Sequence, residues 1–150
     1  RDNVWGPMHE DAARRDFTIN AMYYDPLTEV LVDYHKGIED AKKHLIRMIG
    51  DPAVRYREDP VRIIRAVRFT AKLSTLGFKL EPKTAKPLVA SQDLLKEVPQ
   101  SRLFDEMFKL LQTGHSLASI EQLIQLQLQN GYVLEVFFLR KYLHEDWFRL

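Results

Sequence analysis

The hydrophobic pattern changes character near residue 59. Before that point apolar residues fall in short runs: INAMYYD (19–25) and EVLVDY (29–34) have strand character and are joined by Pro26-Leu27-Thr28, a hairpin-length connection. Ahead of them Asp11 is placed to cap a short helix over AARRDF (12–17). Gly37 breaks the chain, IEDAKKH (38–44) predicts a turn or two of helix, and LIRMIG (45–50) returns to strand until Gly50-Asp51-Pro52 ends it. From Asp59 onward the period is helical, with Asp59 suited to the N-cap and Pro60 to the first helical position. At 100° per residue Ile63, Ile64, Val67, Thr70 and Ala71 gather on one face, while Arg65, Arg68 and Lys72 gather on another with Arg62 at its border. Gly77 closes that helix. Further helices are predicted from Glu81-Pro82 to about Ala90, over SQDLLKEV (91–98) and over SRLFDEMFKLLQTG (101–114). SLASIEQLIQLQLQNG (116–131) is weakly amphipathic, and YVLEVFFLRKYLHEDWF (132–148) is too densely apolar to declare helix or strand. The predicted fold class is α+β, mostly α-helical, its few strands reading as the edge of a larger sheet.

Composition narrows the class without naming a chemistry. The 150 residues are 45% hydrophobic and 29% charged, as in a globular domain. No apolar run approaches the roughly 20 residues that cross a bilayer, and RDNVWGPMHEDAARRD lacks the apolar core of a secretory signal, so the expectation is a cytoplasmic protein with no membrane span. There is no cysteine, and the five histidines lack the short spacing of a zinc site, so no metal site is predicted from them. Net charge is only +1, but between Lys36 and Lys72 ten Lys/Arg face five acids, whereas residues 73–150 balance at nine and nine. Positive charge is concentrated where phosphates would need it.

Within that region RYREDPVRIIRAVRF (55–69) sets five arginines and no lysine around Glu58-Asp59. Arginine offers a rigid planar fork where lysine offers a mobile point charge, so the choice suggests fixed geometry. Asp59 and Arg62, three apart at a helix start, form an acceptor and a donor side by side. Adenine and cytosine present the complement, an exocyclic amine beside a ring nitrogen; guanine and uracil would set a carbonyl oxygen against the carboxylate. The same spacing also suits an N-cap aspartate with a local surface ion pair worth about 1 kcal/mol or less. Arg65 and Arg68 on the next turn can grip a triphosphate, with Arg55 and Arg57 upstream assisting or binding RNA phosphates, or they can be a solvated basic stripe. In EDAARRDFTIN (10–20), Arg15 and Asp16 offer the donor and acceptor that a ribose hydroxyl needs, Asn20 can steady a phosphate or a loop, and Arg14 suits a surface salt bridge equally well. DYHKGIED (33–40) reads as a structural turn organised by Gly37.

RRDFTINAMYYD, DYHKGIED, IRMIGDP, RYREDPVRIIRAVRF and SRLFDEMFKLL occur in an order that resembles bacterial poly(A) polymerases and the related CCA-adding tRNA nucleotidyltransferases, from Arg1 to about Leu117. The resemblance implies the C-terminal part of a nucleotidyltransferase palm over 1–53, a helical neck with the nucleotide-selecting motif over 54–117, and a divergent segment over 118–150. It makes Glu58-Asp59-x-x-Arg62 the amino-acid template for the incoming base, and gives Arg65 and Arg68 to the nucleotide's phosphates. Arg15 and Asp16 match the ribose-holding motif, Asp16 also being counted as catalytic in the polymerase branch. The implied activity is template-independent addition of AMP from ATP to RNA 3′ ends with release of pyrophosphate; the alternatives are CCA addition to tRNA using CTP and ATP, and a noncatalytic RNA- or protein-binding helical module. RYREDPVR with LFDEMFKLLQTGHS leans to the polymerase branch. The resemblance also implies Mg²⁺ held by an Asp-x-Asp pair, which this phosphoryl-transfer chemistry would use to orient the attacking hydroxyl and neutralise pyrophosphate. No Asp-x-Asp occurs in the 150 residues, so the expectation is a partial chain that cannot catalyse alone.

Overall fold

A computed structural model describes residues 7–112 and 114–125. The first helix, α1 (Met8–Arg14), starts from Pro7 without a side-chain cap. Asp11 lies inside it and accepts from Arg15 and from the Tyr23 hydroxyl, so the predicted Asp11 cap is corrected. The predicted hairpin forms: β1 (Met22–Asp25) pairs antiparallel with β2 (Val30–Asp33), Met22 opposite Asp33 and Asp25 opposite Val30. Asp25 ties its connection by accepting from the Leu27 amide and the Thr28 hydroxyl.

Next comes α2 (Gly37–Lys42), whose first residues are held by Asp33, one carboxylate oxygen accepting from the Gly37 amide at 2.8 Å and the other from the Ile38 amide at 2.9 Å. The backbone at Gly37 passes so close to residue 18 that a β-carbon there would stand 2.3 Å from the Thr18 carbonyl oxygen. Close approach, and not a left-handed φ, is therefore what glycine supplies; the positive φ falls on Lys36 at 61°. The predicted strand over 45–50 is reduced to β3 (Leu45–Ile46), followed by a bridge between Met48 and Phe17.

Residues 51–60 carry the main correction. Asp51 and Pro52, taken as a strand end, open α3 (Pro52–Glu58): Asp51 accepts from the amides of Ala53 and Val54, with proline at the helix start. The second Asp-Pro pair behaves otherwise. Asp59 ends α3 in extended backbone, and α4 (Val61–Leu73) begins behind Pro60 with no side-chain cap. Both aspartates precede proline, yet only Asp51 caps, because the carboxylate of Asp59 is drawn into ion pairs described below.

The two faces of α4 fall as predicted. Ile63, Ile64, Val67, Thr70 and Ala71 are all buried, while Arg65, Arg68 and Lys72 are not. After α4 the chain makes a short 3-10 turn to Gly77 (φ 79°), and β4 (Lys79–Leu80) pairs in parallel with β3, a strand the sequence pattern did not declare. α5 (Pro82–Ala90) forms as predicted, and Glu81 caps it by accepting from the Thr84 amide and hydroxyl. Residues 92–97 form a 3-10 helix instead of an α-helix, then follow α6 (Gln100–Gln112) and α7 (Ser116–Gln125). The segment read as helix or strand, 132–148, lies outside the described residues. Among those described, no helix is long and apolar enough to cross a membrane.

One apolar core joins the early strands to the helices: Phe17, Ile46 and Met48 pack with Tyr56, Ile63, Val67, Leu95, Leu103 and Leu110. Thr84 stitches its middle, its hydroxyl accepting from the Met48 amide at 3.1 Å and its carbonyl from the Tyr56 hydroxyl at 3.0 Å. The buried Asp40 is satisfied by the Thr18 hydroxyl at 2.7 Å and by Arg47 at 3.0 Å, and Arg47 reaches on to Glu81 at 3.4 Å. This fixes α2, β3 and α5 to one another.

Candidate nucleotide-binding site

The segment after α1 turns sharply and is pinned to residues 47–49. The Thr18 amide donates to the Arg47 carbonyl at 3.0 Å and the Ile49 amide to the Asp16 carbonyl at 2.9 Å. Asn20 steadies the same turn by accepting from the Phe17 amide at 3.1 Å. With its backbone fixed, Asp16 projects toward the cationic face of α4. One carboxylate oxygen accepts from Arg62 Nε at 3.1 Å and the other from Arg65 Nη1 at 2.9 Å. Asp16 and Arg62 are nearly buried, their side chains 11% and 12% exposed. A carboxylate taken from water is sustained by this double, charge-assisted pairing.

The Arg62 amide donates to the Asp59 carbonyl at 3.0 Å, but among the described residues the two side chains make no hydrogen bond or ion pair with each other. Arg62 instead bonds Asp16, the Arg55 carbonyl at 2.8 Å and Glu58 at 3.4 Å. Asp59 Oδ2 accepts from Arg102 at 2.8 Å and lies 3.6 Å from Arg65. Its other oxygen, Oδ1, is buried without a hydrogen-bond partner. Arg62 and Asp59 are thus linked through Asp16 and Arg65, and neither the capping aspartate nor the local ion pair of the simplest sequence reading exists. Burial works against the Arg65 cation, but its hydrogen bond to Asp16 and the charges of Asp16, Glu106 and Asp59 outweigh it and raise its pKa.

Arg15, Asp16, Asn20, Arg65 and Arg68 line one cleft of about 390 Å³, completed by Arg14, Glu106 and Lys109. Two segments far apart in the sequence, 14–20 and 65–68, therefore face one space. Glu58, Asp59 and Arg62 lie outside its lining and join it through Asp16 and Arg65. Arg14 also makes a loose surface pair with Glu10 at 4.0 Å. Arg55 does not point at solvent phosphates: its guanidinium is turned inward onto the carbonyls of Arg14 and Arg15, whereas Arg57 is exposed.

Arg102, Glu106 and Lys109, all on α6, were not singled out in the sequence. Glu106 lies 3.8 Å from Arg65, 4.0 Å from Arg68 and 3.5 Å from Lys109. A signal existed. Leu103, Glu106, Met107 and Leu110 are the buried positions of α6, so a carboxylate occupies a slot on an otherwise apolar face at i, i+3, i+4, i+7 spacing. Such a charge needs cationic partners. Among the described residues no three of His, Cys, Asp or Glu converge as metal ligands, and both oxygens of Asp16 are engaged by arginines, so a divalent cation has no ligand set here.

Residues 3–47 match the family described as "Poly A polymerase head domain", and residues 77–136 the one described as "Probable RNA and SrmB- binding site of polymerase A". Poly(A) polymerase I of Haemophilus influenzae is 50% identical over 125 residues, covering 83% of this chain and 27% of that protein. The CCA-adding enzyme of Lactobacillus helveticus is 41% identical over 121 residues, covering 81% and 29%. The structure of the Bacillus stearothermophilus CCA-adding enzyme in complex with CTP superimposes with a TM-score of 0.69 at 35% identity, over 79% of this chain and 29% of that one. The fold is that of a nucleotidyltransferase. The chain belongs to the bacterial poly(A) polymerase and CCA-adding enzyme family. It spans a little over a quarter of the length of the curated relatives it matches.

Proposed function

We propose that the parent protein adds AMP from ATP to RNA 3′ ends without a nucleic-acid template, releasing pyrophosphate. The observation that carries this reading is the Asp59 carboxylate, held by two arginines through Oδ2 while its buried Oδ1 has no donor. An exocyclic amine of adenine supplies that donor, and Arg62 supplies the fork for the neighbouring ring nitrogen. Guanine or uracil would present a carbonyl oxygen to the same carboxylate and be repelled. Arg15 and Asp16 hold the ribose. Each oxygen of Asp16 accepts one arginine, which leaves lone pairs for a 2′-hydroxyl. Arg65 and Arg68 neutralise the triphosphate across the cleft, where five cations face two acids. Mg²⁺ would supply the activation of the attacking hydroxyl in the complete protein; the described residues offer it no ligand set. A cytoplasmic location follows from the reading, because ATP and RNA 3′ ends are met there.

CCA addition is the second reading, favoured by relatives such as the Lactobacillus enzyme; the higher identity to poly(A) polymerase I places it second. Extension of a generic RNA and of tRNA lacking its CCA end, each with single nucleotides, separates the two. AMP runs on generic RNA support the first, and CMP addition to the trimmed tRNA supports the second. In the complete protein Asp59→Ala is expected to reduce the ATP preference over GTP by roughly ten- to a hundredfold, the value of one bidentate base contact. Undiminished preference in that variant would reject the base-reading role.

A further inference from the structure

Arg55 is tied to both halves of the site without lining its cleft. From α3, its Nη2 donates to the Arg15 carbonyl at 2.7 Å and to the Arg14 carbonyl at 3.3 Å, the last residues before Asp16. Its own carbonyl accepts from Arg62 Nη1 at 2.8 Å. The side chain is 14% exposed, has only a long ion pair to Glu58 at 3.7 Å, and keeps its Nε buried without a partner. Burial, then the like charge of Arg62, pull its pKa down, with Glu58, Asp16 and Asp59 opposing. A surface arginine placed for solubility would not be desolvated in this way. The hydrogen bonds that offset this desolvation go to the backbone carbonyls of residues 14 and 15.

We infer that Arg55 is a positioning residue that clamps the sugar-holding segment 14–16 to the base-reading Arg62, so that sugar choice and base choice are set together. This deepens the function proposed above and rests on it. One nitrogen of the rigid guanidinium reaches both carbonyls, while the residue's own carbonyl carries the third contact. A lysine at the same place keeps the charge but has no planar fork. Loosening the clamp lets residues 14–16 shift relative to α4, degrading both selections although Arg55 touches neither base nor sugar.

The test uses the complete protein, with Arg55→Lys and Arg55→Gln, and measures kcat/KM for ATP, dATP, GTP and dGTP in RNA extension alongside the thermal midpoint. In a variant that folds, the ATP:dATP and ATP:GTP ratios are both expected to fall about tenfold, the scale of one charge-assisted hydrogen bond. A purely structural arginine would lower the midpoint and total activity and leave both ratios as in the parent. Retention of either ratio in a folded variant overturns the inference; the glutamine variant, which keeps an amide donor without charge, decides the matter if the lysine protein does not fold. Should neither variant fold, the parent's own four-nucleotide cycle takes their place: a 2′-hydroxyl preference of equal size with adenine and guanine also overturns it. A parent protein that shows no ATP preference rejects the proposed function itself, whereas a selective parent with an equally selective variant rejects only the clamp.

Discussion

At the scale of single residues the site is a chain of shared charges. Asp16 divides its two oxygens between Arg62 and Arg65, and Asp59 pairs through one oxygen with Arg65 and Arg102, so Arg65 is shared between the two acids and joins them. The residue types were legible in the sequence, and so was the cationic face of α4. Their partners were not, because ion pairs such as Asp16 with Arg62 join positions 46 residues apart and no local spacing encodes them. Asp59 illustrates the point: local rules made it a cap, and long-range cations from α4 and α6 overrode them. Arg62→Lys in the complete protein is expected to lower catalytic efficiency with ATP by ten- to a hundredfold, since an ammonium cannot serve Asp16 and the Arg55 carbonyl in one plane. Steady-state kinetics on that variant checks it, and parental efficiency would remove the geometric argument for arginine.

At the scale of elements, the long periodic segments were the readable ones. α4, α5 and α6 lie where apolar spacing placed them, and the hairpin β1–β2 forms with a connection one residue longer than predicted. The failures are short elements whose existence depends on partners. β4 is two residues long and forms only because Leu45–Ile46 offers it a parallel edge. α3 was missed because Gly50-Asp51-Pro52 reads equally as a strand end or a helix start, and only the carboxylate of Asp51 on the amides of Ala53 and Val54 decides. The Gly37 turn was recognised as structural, though for a different reason from the one the sequence suggested. Gly37→Ala would drive a methyl into the Thr18 carbonyl, with the Met22 side chain at 3.0 Å closing the other side. The expected cost is roughly 1–3 kcal/mol, read as a lower denaturant midpoint. An unchanged midpoint would mean that the backbone at residue 18 yields freely.

At the scale of the whole molecule, the larger of two apolar clusters among the described residues runs from Phe17 and Ile46 through α3 and α4 to Leu110. The sequence pattern implied an α+β start and a helical continuation, but not that they would be cemented together, since amphipathic faces declare that they are buried and not against what. Tyr56→Phe tests one of the cements. It removes the buried hydroxyl that joins α3 to the Thr84 carbonyl, and stability is expected to fall by about 1 kcal/mol with the denaturant slope unchanged. A neutral result would assign the join to packing alone. The shared core also limits how such a protein can change its diet. Because Asp16 and Arg62 stand on the same packed foundation, a lineage drifting toward a new monomer cannot retune one by tilting it on a soft seam while sparing the other; it must rework side chains where they stand, and neighbouring substitutions should arrive in company.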